Sequence, residues 1–315
     1  MARNDLSLHK VKVCGIIVLF NPTNTFVNSI ESAIGIVDLL VIMDNSTDSA
    51  IGERTKNFLS RLHIEESSHP IVYMKNEMNV GLAESYNRAI QVGCAIGMDY
   101  FLILDQDTQL DVNTVRNLIS YHAFLSKNCK VGAIGCVNLD ASTSLISGVK
   151  DLFFKRRGFL ETSEVKEILT PISSGLFVGK SVLLEVGKFN GDLFVDAVDT
   201  EFGLRLLSHG FRNFLCKRCV IQHTLGYTKK VHLMGKTFTL SLHDPIRTYY
   251  LVRDSERVAF AYFPFLPAYW VFVQFNVFVY ILKALVFSDR KREHLRMLFE
   301  GARDFFRSPG LLGFE

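Results

Sequence analysis

The feature that most constrains the fold is a regular alternation of short apolar runs with helix-length stretches in the first 137 residues. The apolar runs have the length of strands and are Val13–Phe20, Leu39–Met43, Ile71–Met74, Phe101–Leu104 and Val131–Val137. Between them lie stretches long enough for helices, at about 25–35, 48–62, 82–96 and 113–125. Short strands that are apolar on both faces and separated by helices indicate a parallel sheet covered on each side. We therefore expect an α/β domain whose ligands bind beyond the carboxyl ends of the strands.

Composition narrows the class of protein. The 315 residues suffice for one large domain with a modest appendage, and the hydrophobic share of 48% invites a search for a membrane-facing segment. A net charge of +3, without a basic stretch that carries aromatics, argues against nucleic acid as a partner. Cys216 and Cys219 have the spacing of a zinc pair but lack a second pair, so we expect reduced thiols in a cytosolic protein. The first ten residues lack the apolar core of a secretory signal.

Polar residues follow three of the predicted strands. Asn21 ends the first, Asp44 ends the second, and Asp105 and Asp107 follow the fourth. The last two carboxylates repel each other unless they share a cation, and oxygen ligands suit Mg²⁺ or Mn²⁺. A solvated turn that caps the next helix is an equal alternative for this pair.

Two further positions at the same edge suit a nucleotide. Asp44 can accept a hydrogen bond from the imide N–H of a base, although an Asx-turn would use the same residue. Asn79 and Gly81 stand directly before a helix, where backbone N–H groups can hold a base or phosphate, or where they merely cap the helix. Each signal is weak alone, and their collection on one edge indicates a nucleotide site.

Four carboxylates surround the start of a later helix, in the segment Asp192–Glu201. A helix N-terminus stabilises anions, so one carboxylate there can stay ionised and take a proton. Ordinary N-capping by Asp196 or Asp199, with Glu201 and Arg205 as an i,i+4 pair, is the alternative. We favour a functional role because one cap needs only one acid. His223, after the next strand, is either a third metal ligand or a structural histidine.

Two other nucleotide-binding classes are disfavoured. Gly175-Leu-Phe-Val-Gly179-Lys180-Ser181 is one residue too short for a P-loop, and no G-x-G-x-x-G follows the first strand. The sequence therefore favours neither a P-loop NTPase nor a nicotinamide enzyme.

The ordered motifs together resemble the family 2 glycosyltransferases, which have the GT-A fold. The motifs that carry this resemblance are Asp44-Asn45-Ser46, Asn79-x-Gly81-x-Ala83, Asp105-x-Asp107, Ser173-Ser174-Gly175, Asp199-x-Glu201 and His223. The segments Phe194–Arg205 and His243–Arg253 resemble the bacterial rhamnosyltransferase branch in particular. The resemblance runs from about Val13 to Arg257. The fold it implies is the GT-A type, a Rossmann-like mixed sheet flanked by helices.

The resemblance implies a role for each motif. Asp44 would read the base, with Asn21, Asn79 and Gly81 lining the same pocket. Asp105 would contact the nucleotide sugar or the metal, while Asp107 and His223 would ligate Mg²⁺ or Mn²⁺. Candidates for contacts to the acceptor or the diphosphate are Ser174, Gly175, Glu201, Arg247 and Arg253.

The same resemblance implies an inverting reaction in which Asp199 is the general base. The donor would be dTDP-β-L-rhamnose and the acceptor a lipid-linked glycan of a bacterial surface polysaccharide. Another sugar nucleotide, carrying UDP or GDP, is the nearest alternative. A non-catalytic nucleotide-sugar-binding protein is disfavoured, because it would lack Asp107 or Asp199.

The C-terminal part is aromatic and basic. We expect a glycosyltransferase domain over residues 1–257 and a helical region over 258–315, with one long apolar helix at Ala268–Phe287. Its polar-leaning residues form one stripe, and basic residues flank both sides, which favours a helix lying in a membrane interface over a spanning helix. Packing in a core or a homodimer is the alternative. The sequence thus predicts a cytoplasmic protein, peripheral at the inner face of the cell membrane.

Overall fold

The computed structural model describes residues 11–65, 70–138, 160–223, 228–233, 236–241 and 244–310, with backbone alone for 62–65, 223, 228–233 and 236–241. The strands are β1 Val13–Leu19, β2 Leu39–Asp44, β3 Ile71–Lys75, β4 Tyr100–Asp105, β5 Thr108–Leu110, β6 Val131–Asn138, β7 Val165–Ile168, β8 Leu176–Gly179, β9 Arg212–His223, β10 Thr228–Leu233 and β11 Lys236–Ser241. The helices are α1 Thr25–Ala33, α2 Ser49–Glu65, α3 Leu82–Ile96, α4 Val112–Leu125, α5 Lys180–Val186, α6 Val198–Ser208, α7 Pro245–Ala261, α8 Pro267–Phe287 and α9 Lys291–Arg307.

A nine-stranded mixed sheet forms the centre of the molecule. Its order is β3-β2-β1-β4-β8-β6-β9-β5, and β7 also pairs with β9. The strands β3, β2, β1 and β4 are parallel, whereas β8 runs antiparallel to both β4 and β6. The α/β fold is therefore confirmed, and the purely parallel arrangement that the apolar runs indicate holds only for the first half of the sheet.

Both faces of the sheet are covered, as two-sided apolar strands require. In β1, Cys14 and Ile16 point into one core cluster, while Val13 and Ile17 point into the other. Helices α1, α2 and α4 complete the second cluster, and α3, α5 and α6 complete the first. The first cluster also contains buried side chains of α7 and α8, so these C-terminal helices share a core with the sheet.

The C-terminal helices pack closely on one another. Helix α8 begins at Pro267, one residue before the predicted start at Ala268. A Cβ atom at Gly301 of α9 would lie 2.7 Å from the carbonyl oxygen of Tyr249 in α7, so the backbones of α7 and α9 approach at that glycine. The predicted domain boundary at residue 257 falls inside α7.

One expectation about the cysteines is wrong. Cys216 and Cys219 form a disulfide, with 5.2 Å between their Cα atoms. The pairing of β9 with β6 shifts register here, since Cys136 pairs with Cys216 but Val137 pairs with Val220. The resulting bulge brings the two cysteines together, and sequence spacing gives no sign of a bulge.

Candidate active site

The loops after β1 and β2 are tied together through Asn21. Its φ of +42° places it in the left-handed region, which is uncommon for a residue other than glycine. The side-chain Oδ1 accepts hydrogen bonds from the N–H groups of Thr47 (3.1 Å) and Asp48 (3.3 Å). The Asn21 N–H donates to Ser46 Oγ at 2.9 Å. Asn21 thus shapes the sheet edge at which Asp44 ends β2.

Asp44 is fully buried and already has protein partners. Its Oδ1 accepts the Ser46 N–H at 2.7 Å, and its Oδ2 accepts the Tyr73 hydroxyl at 2.7 Å. The Lys75 ammonium lies 3.5 Å from Oδ2. Burial, and next the hydrogen bond to Asp44, raise the pKa of Tyr73, so this phenol stays protonated and donates. Because a carboxylate has about four acceptor positions, these partners leave about one for a ligand.

Gly81 is required by close packing as well as by its φ of +83°. A Cβ there would lie 2.6 Å from the carbonyl oxygen of Phe194, which also accepts the Leu82 N–H at 2.6 Å. Asn79 Oδ1 accepts the N–H of Gly81 at 3.0 Å, so Asn79 fixes its own loop. The Asn79–Gly81 loop therefore lies directly against the segment that precedes α6.

Sequence reasoning missed the polar network beneath this loop. Asn45 Nδ2 donates to the carbonyl oxygen of Gly81 (3.2 Å) and to Ser85 Oγ (3.0 Å), and Ser85 Oγ donates to the same carbonyl. Asn76 Nδ2 donates to Asn45 Oδ1 at 2.7 Å. Asn45 belongs to the quoted Asp44-Asn45-Ser46 motif, which is the one signal that could have identified it.

The candidate metal ligands come to one edge through the β5–β9 pairing. Asp105 ends β4, and Asp107 immediately precedes β5. Thr108 of β5 pairs with His223 of β9, which brings the backbones beside Asp107 and at His223 together. The side chain of His223 lies outside the described residues. Among the side chains that are described, no three from His, Cys, Asp and Glu form a metal cluster. The carboxylates of Asp105 and Asp107 have the oxygen donors that suit a divalent cation.

Ser174 and Gly175 pack beneath this edge. Ser174 is buried, and its Oγ lies 2.6 Å from Thr108 Oγ1 in a hydrogen bond. A Cβ at Gly175, whose φ is +81°, would lie 2.6 Å from Cys136 Cβ. Both residues therefore support the strand ends that carry Asp105 and Asp107.

Asp199 lies in the first turn of α6 and is not its cap. The N-cap of α6 is Ala197, with a φ of +62° and no side-chain cap hydrogen bond. Asp199 Oδ2 instead accepts the N–H (3.0 Å) and the Oγ hydrogen (3.3 Å) of Ser173. A left-handed alanine costs roughly 1–2 kcal/mol. Such strain concentrates at functional sites, and the geometry rules out capping as the reason for Asp199.

Two buried tyrosines feel the charge of Asp199. Burial is the main cause that raises the pKa of Tyr86 in α3 and of Tyr269 in α8, and the charge of Asp199 raises both further. Both tyrosines belong to the core cluster that also contains Val198, the residue before Asp199.

Asp196 has a different environment from Asp199. Its Oδ1 accepts Arg247 Nε at 3.3 Å, while its Oδ2 is buried without a hydrogen-bond partner. Burial raises the pKa of Asp196, and Arg247 acts in the opposite direction. Arg247 is about half exposed, so this pair reaches the surface beside the α6 start.

Glu201 is fully buried, and its partners come from the protein. Arg205 donates to both of its carboxylate oxygens, at 2.9 and 3.0 Å, which confirms the i,i+4 pair. The hydroxyl of Tyr262, the C-cap residue of α7, donates to Oε1 at 3.1 Å. These contacts join α6 to α7 and turn Glu201 away from solvent.

Arg253 of α7 stabilises two neighbours, Asp254 and Tyr250, that contact Phe194 in the segment before α6. Its Nε donates to Asp254 Oδ1 at 2.6 Å, and its guanidinium lies 5.1 Å from the ring centres of both Tyr249 and Tyr250. Asp254 Oδ2 accepts the Phe194 N–H at 3.4 Å, and Phe194 stacks on Tyr250 with 4.6 Å between ring centres. Arg253 is mostly buried in these contacts.

Comparison with known proteins decides the family. Residues 15–175 match the model of Glycosyl transferase family 2. The chain belongs to that family. The dTDP-rhamnosyl transferase RfbF of Shigella flexneri is 28% identical to this family 2 enzyme over 250 residues, which are 77% of this chain and 78% of RfbF.

Solved structures agree on the fold. The mannosyltransferase PcManGT from Pyrobaculum calidifontis, in complex with GDP-Man and Mn²⁺, superposes with a TM-score of 0.59 at 13% identity, covering 96% of this chain and 82% of its own. GalNAc-T7 with UDP, GalNAc and Mn²⁺ superposes with a TM-score of 0.53 at 16% identity. This superposition covers 96% of this chain and 59% of the GalNAc-T7 chain. These likenesses confirm the GT-A-type fold, and the family confirms that the chain is a glycosyltransferase.

Proposed function

We propose that the enzyme transfers L-rhamnose from dTDP-β-L-rhamnose to a hydroxyl of a lipid-linked glycan, with inversion at the anomeric carbon. The relative named a dTDP-rhamnosyl transferase supports the donor. The observation that carries the mechanism is the geometry of Asp199, which lies at a helix start without capping it. We propose that this occurs at the cytoplasmic face of the membrane that holds the acceptor.

The strand-end residues would bind the donor. Asp44 has about one acceptor position left for the imide N–H of thymine, and the tied loops of Asn21 and Gly81 border the same edge. Asp105, Asp107 and His223 would hold a divalent metal, as their donor types fit. Such an ion supplies counter-charge to the departing diphosphate.

Asp199 would remove the proton of the acceptor hydroxyl. The N–H and hydroxyl of Ser173 hold Oδ2, and the hydroxyl of Thr200 donates to Oδ1 at 3.2 Å, so the carboxylate is fixed in orientation. The N-terminus of α6 favours its ionised form. The hydroxyl oxygen then attacks the anomeric carbon from the face opposite the leaving diphosphate, which inverts the configuration. Half-exposed Arg247 is the better placed of the two arginines to contact the acceptor.

Calorimetry with dTDP-, UDP- and GDP-sugars, each with Mn²⁺ or Mg²⁺, tests the donor. We expect dTDP-rhamnose to bind most tightly and to lose affinity in EDTA. Tighter binding of a UDP- or GDP-sugar would show that the donor is that sugar nucleotide and not dTDP-rhamnose. Binding without any transfer to glycan would favour the non-catalytic alternative.

A further inference from the structure

The outward face of α8 is apolar along its whole length. Its exposed large side chains recur at i, i+4, i+7, i+11 and i+15, and they are Val271, Phe275, Phe278, Leu282 and Val286. Phe278 is 64% exposed, and the mean hydropathy over the most apolar window of the helix is 1.8. By length and composition, α8 is the one helix in the described part of the chain that could cross a membrane. This face therefore has the chemistry of a lipid contact.

The inner face of α8 is packed on the enzyme. Tyr269, Phe272 and Val273 are buried in the core cluster that also contains sheet residues. Asn276 Nδ2 bonds the carbonyl oxygen of Phe272 at 2.9 Å, and Tyr280 accepts a hydrogen bond from Thr248 of α7 at 3.4 Å. Tyr269, Asn276 and Tyr280, which belong to the polar-leaning stripe of the sequence, are thus turned to the protein. A helix anchored in this way cannot span a bilayer while the domain stays folded.

The apolar surface continues from the start of α8 into the turn that precedes it. Trp270 lies with its ring 6.3 Å from that of exposed Phe263 in the preceding turn, and Phe265 is exposed beside it. Of the exposed large apolar side chains in the described residues, more than half lie between Ile246 and Phe306. Soluble monomers rarely expose so continuous an apolar area.

The charged residues around α8 indicate what kind of surface this apolar face contacts. Helix α8 contains no Asp or Glu, and the exposed residues Arg290, Lys291 and Arg292 follow its end. Residues 244–310 contain ten Lys and Arg against seven Asp and Glu, a net +3 that equals that of the whole chain. Aromatic side chains at one end of an apolar helix and cations at the other fit the interface of an anionic bilayer.

We propose that the outward face of α8 seats in the interface of an anionic membrane, with the helix axis in the bilayer plane and its inner face kept on the domain. Tyr269 on the inner face lies in the same core cluster as Val198, the residue before Asp199. The membrane surface would then lie about one helix diameter, ~10 Å, from the surroundings of the base. This surface does not depend on the donor; only its use for a lipid-linked acceptor rests on the proposed function.

The chain carries its own probe, because Trp270 is its single tryptophan and lies on α8. Full-length protein is mixed with vesicles of phosphatidylcholine alone or with added phosphatidylglycerol. We expect flotation and a blue shift of Trp270 emission with the anionic vesicles. Quenching should be stronger by lipids brominated near the headgroup than by lipids brominated at the chain ends. Stronger quenching at the bilayer centre would overturn the in-plane arrangement.

Matched variants separate lipid binding from folding and from catalysis. A triple variant combines Phe275→Ser, Phe278→Ser and Leu282→Ser. It should neither float with the vesicles nor show the blue shift, and its affinity for the donor, measured by calorimetry, should be unchanged. Leu184→Ser, at a residue 74% exposed on α5, should change neither. The proposal fails if full-length protein ignores anionic vesicles, or if light scattering shows a dimer in solution that the triple variant dissociates. If wild-type protein does not bind the donor, that result refutes the proposed function and leaves the membrane proposal unaffected.

Discussion

At the scale of single residues, three neighbouring acids have three different uses. Asp199 is held by Ser173 donors, Asp196 is buried against Arg247, and Glu201 joins α6 to α7 through Arg205. The sequence brings these acids together but cannot distinguish them, because their difference depends on partners far away in the chain. We propose Asp199 as the base because its neighbours orient it without neutralising it.

Asp199→Asn tests this assignment. Asparagine keeps the hydrogen-bond acceptor for Ser173 but cannot take a proton, so the variant should fold and bind donor normally. Removing a general base typically costs about 10²–10⁴ in rate. We expect kcat for transfer to fall at least about a hundredfold, measured at saturating donor.

Asp196→Asn is the control, since it removes a carboxylate three residues earlier in the chain, just before the N-cap of α6. It should retain far more activity than Asp199→Asn. If Asp196→Asn is the inactive variant while Asp199→Asn still transfers sugar, the base has been assigned to the wrong carboxylate.

Asp107→Ala tests the metal site. Without this carboxylate the cation loses a ligand, and the diphosphate departs without its counter-charge. We expect transfer to be abolished and the Mn²⁺ affinity, measured by calorimetry, to fall. Asp111→Ala removes an exposed acid that caps α4 and should leave transfer intact. Full activity of Asp107→Ala in EDTA would exclude a metal-assisted mechanism.

At the scale of elements, the prediction from sequence succeeds where one element carries its own signal. Strands β1 to β4 are apolar along their length and are confirmed within one or two residues, and α1 to α4 are confirmed within three. Strand β5 has three residues and β7 has four, too few for a period to appear. The bulge at Cys216 and the contact of Gly81 with Phe194 depend on pairing between distant segments. The site's edge was therefore predictable, and its supporting network was not.

The contact of α7 with the segment before α6 makes stability depend on pH. Burial raises the pKa of Asp254 from its ordinary value of 3.8 to about 6, against the opposing effect of Arg253. Between these values the folded state holds a proton that the unfolded state has lost. The free energy of unfolding should therefore fall as pH rises from about 4 to 6, by up to about 1.4 kcal/mol per pH unit.

Urea unfolding of wild type and Asp254→Asn across this range isolates the effect of Asp254. The difference in stability between the two proteins should change with pH up to about 6 and stay constant above it. A difference that is flat from pH 4 to 8 would show that the Asp254 carboxyl titrates normally.

At the scale of the whole molecule, the C-terminal helices are part of the glycosyltransferase core. Val258 and Ala259 of α7 and Phe272 of α8 are buried in the same cluster as sheet residues. The predicted division of the chain at residue 257 rests on where the aromatic residues begin. In the structure this position falls inside α7. Helix amphipathicity alone could not show which face of α8 is covered.

Shortening the chain after Asp254 tests this shared core. Removal of the remaining helices would expose the sheet-facing cluster, so we expect the shortened protein to aggregate, measured as the soluble fraction after expression. Shortening after Pro309 leaves α7 to α9 intact and should have little effect. A soluble, active protein ending at Asp254 would mean that the two parts fold independently.

We propose an inverting rhamnosyltransferase, and the anomeric configuration of the product tests this proposal most directly. Purified enzyme is supplied with dTDP-β-L-rhamnose, a divalent metal and lipid-linked glycans from bacterial membranes, and the product is examined by NMR. The account predicts an α-linked rhamnosyl residue, because one displacement assisted by Asp199 inverts the β configuration. A β-linked rhamnosyl product, or transfer only from a UDP- or GDP-sugar, would contradict it.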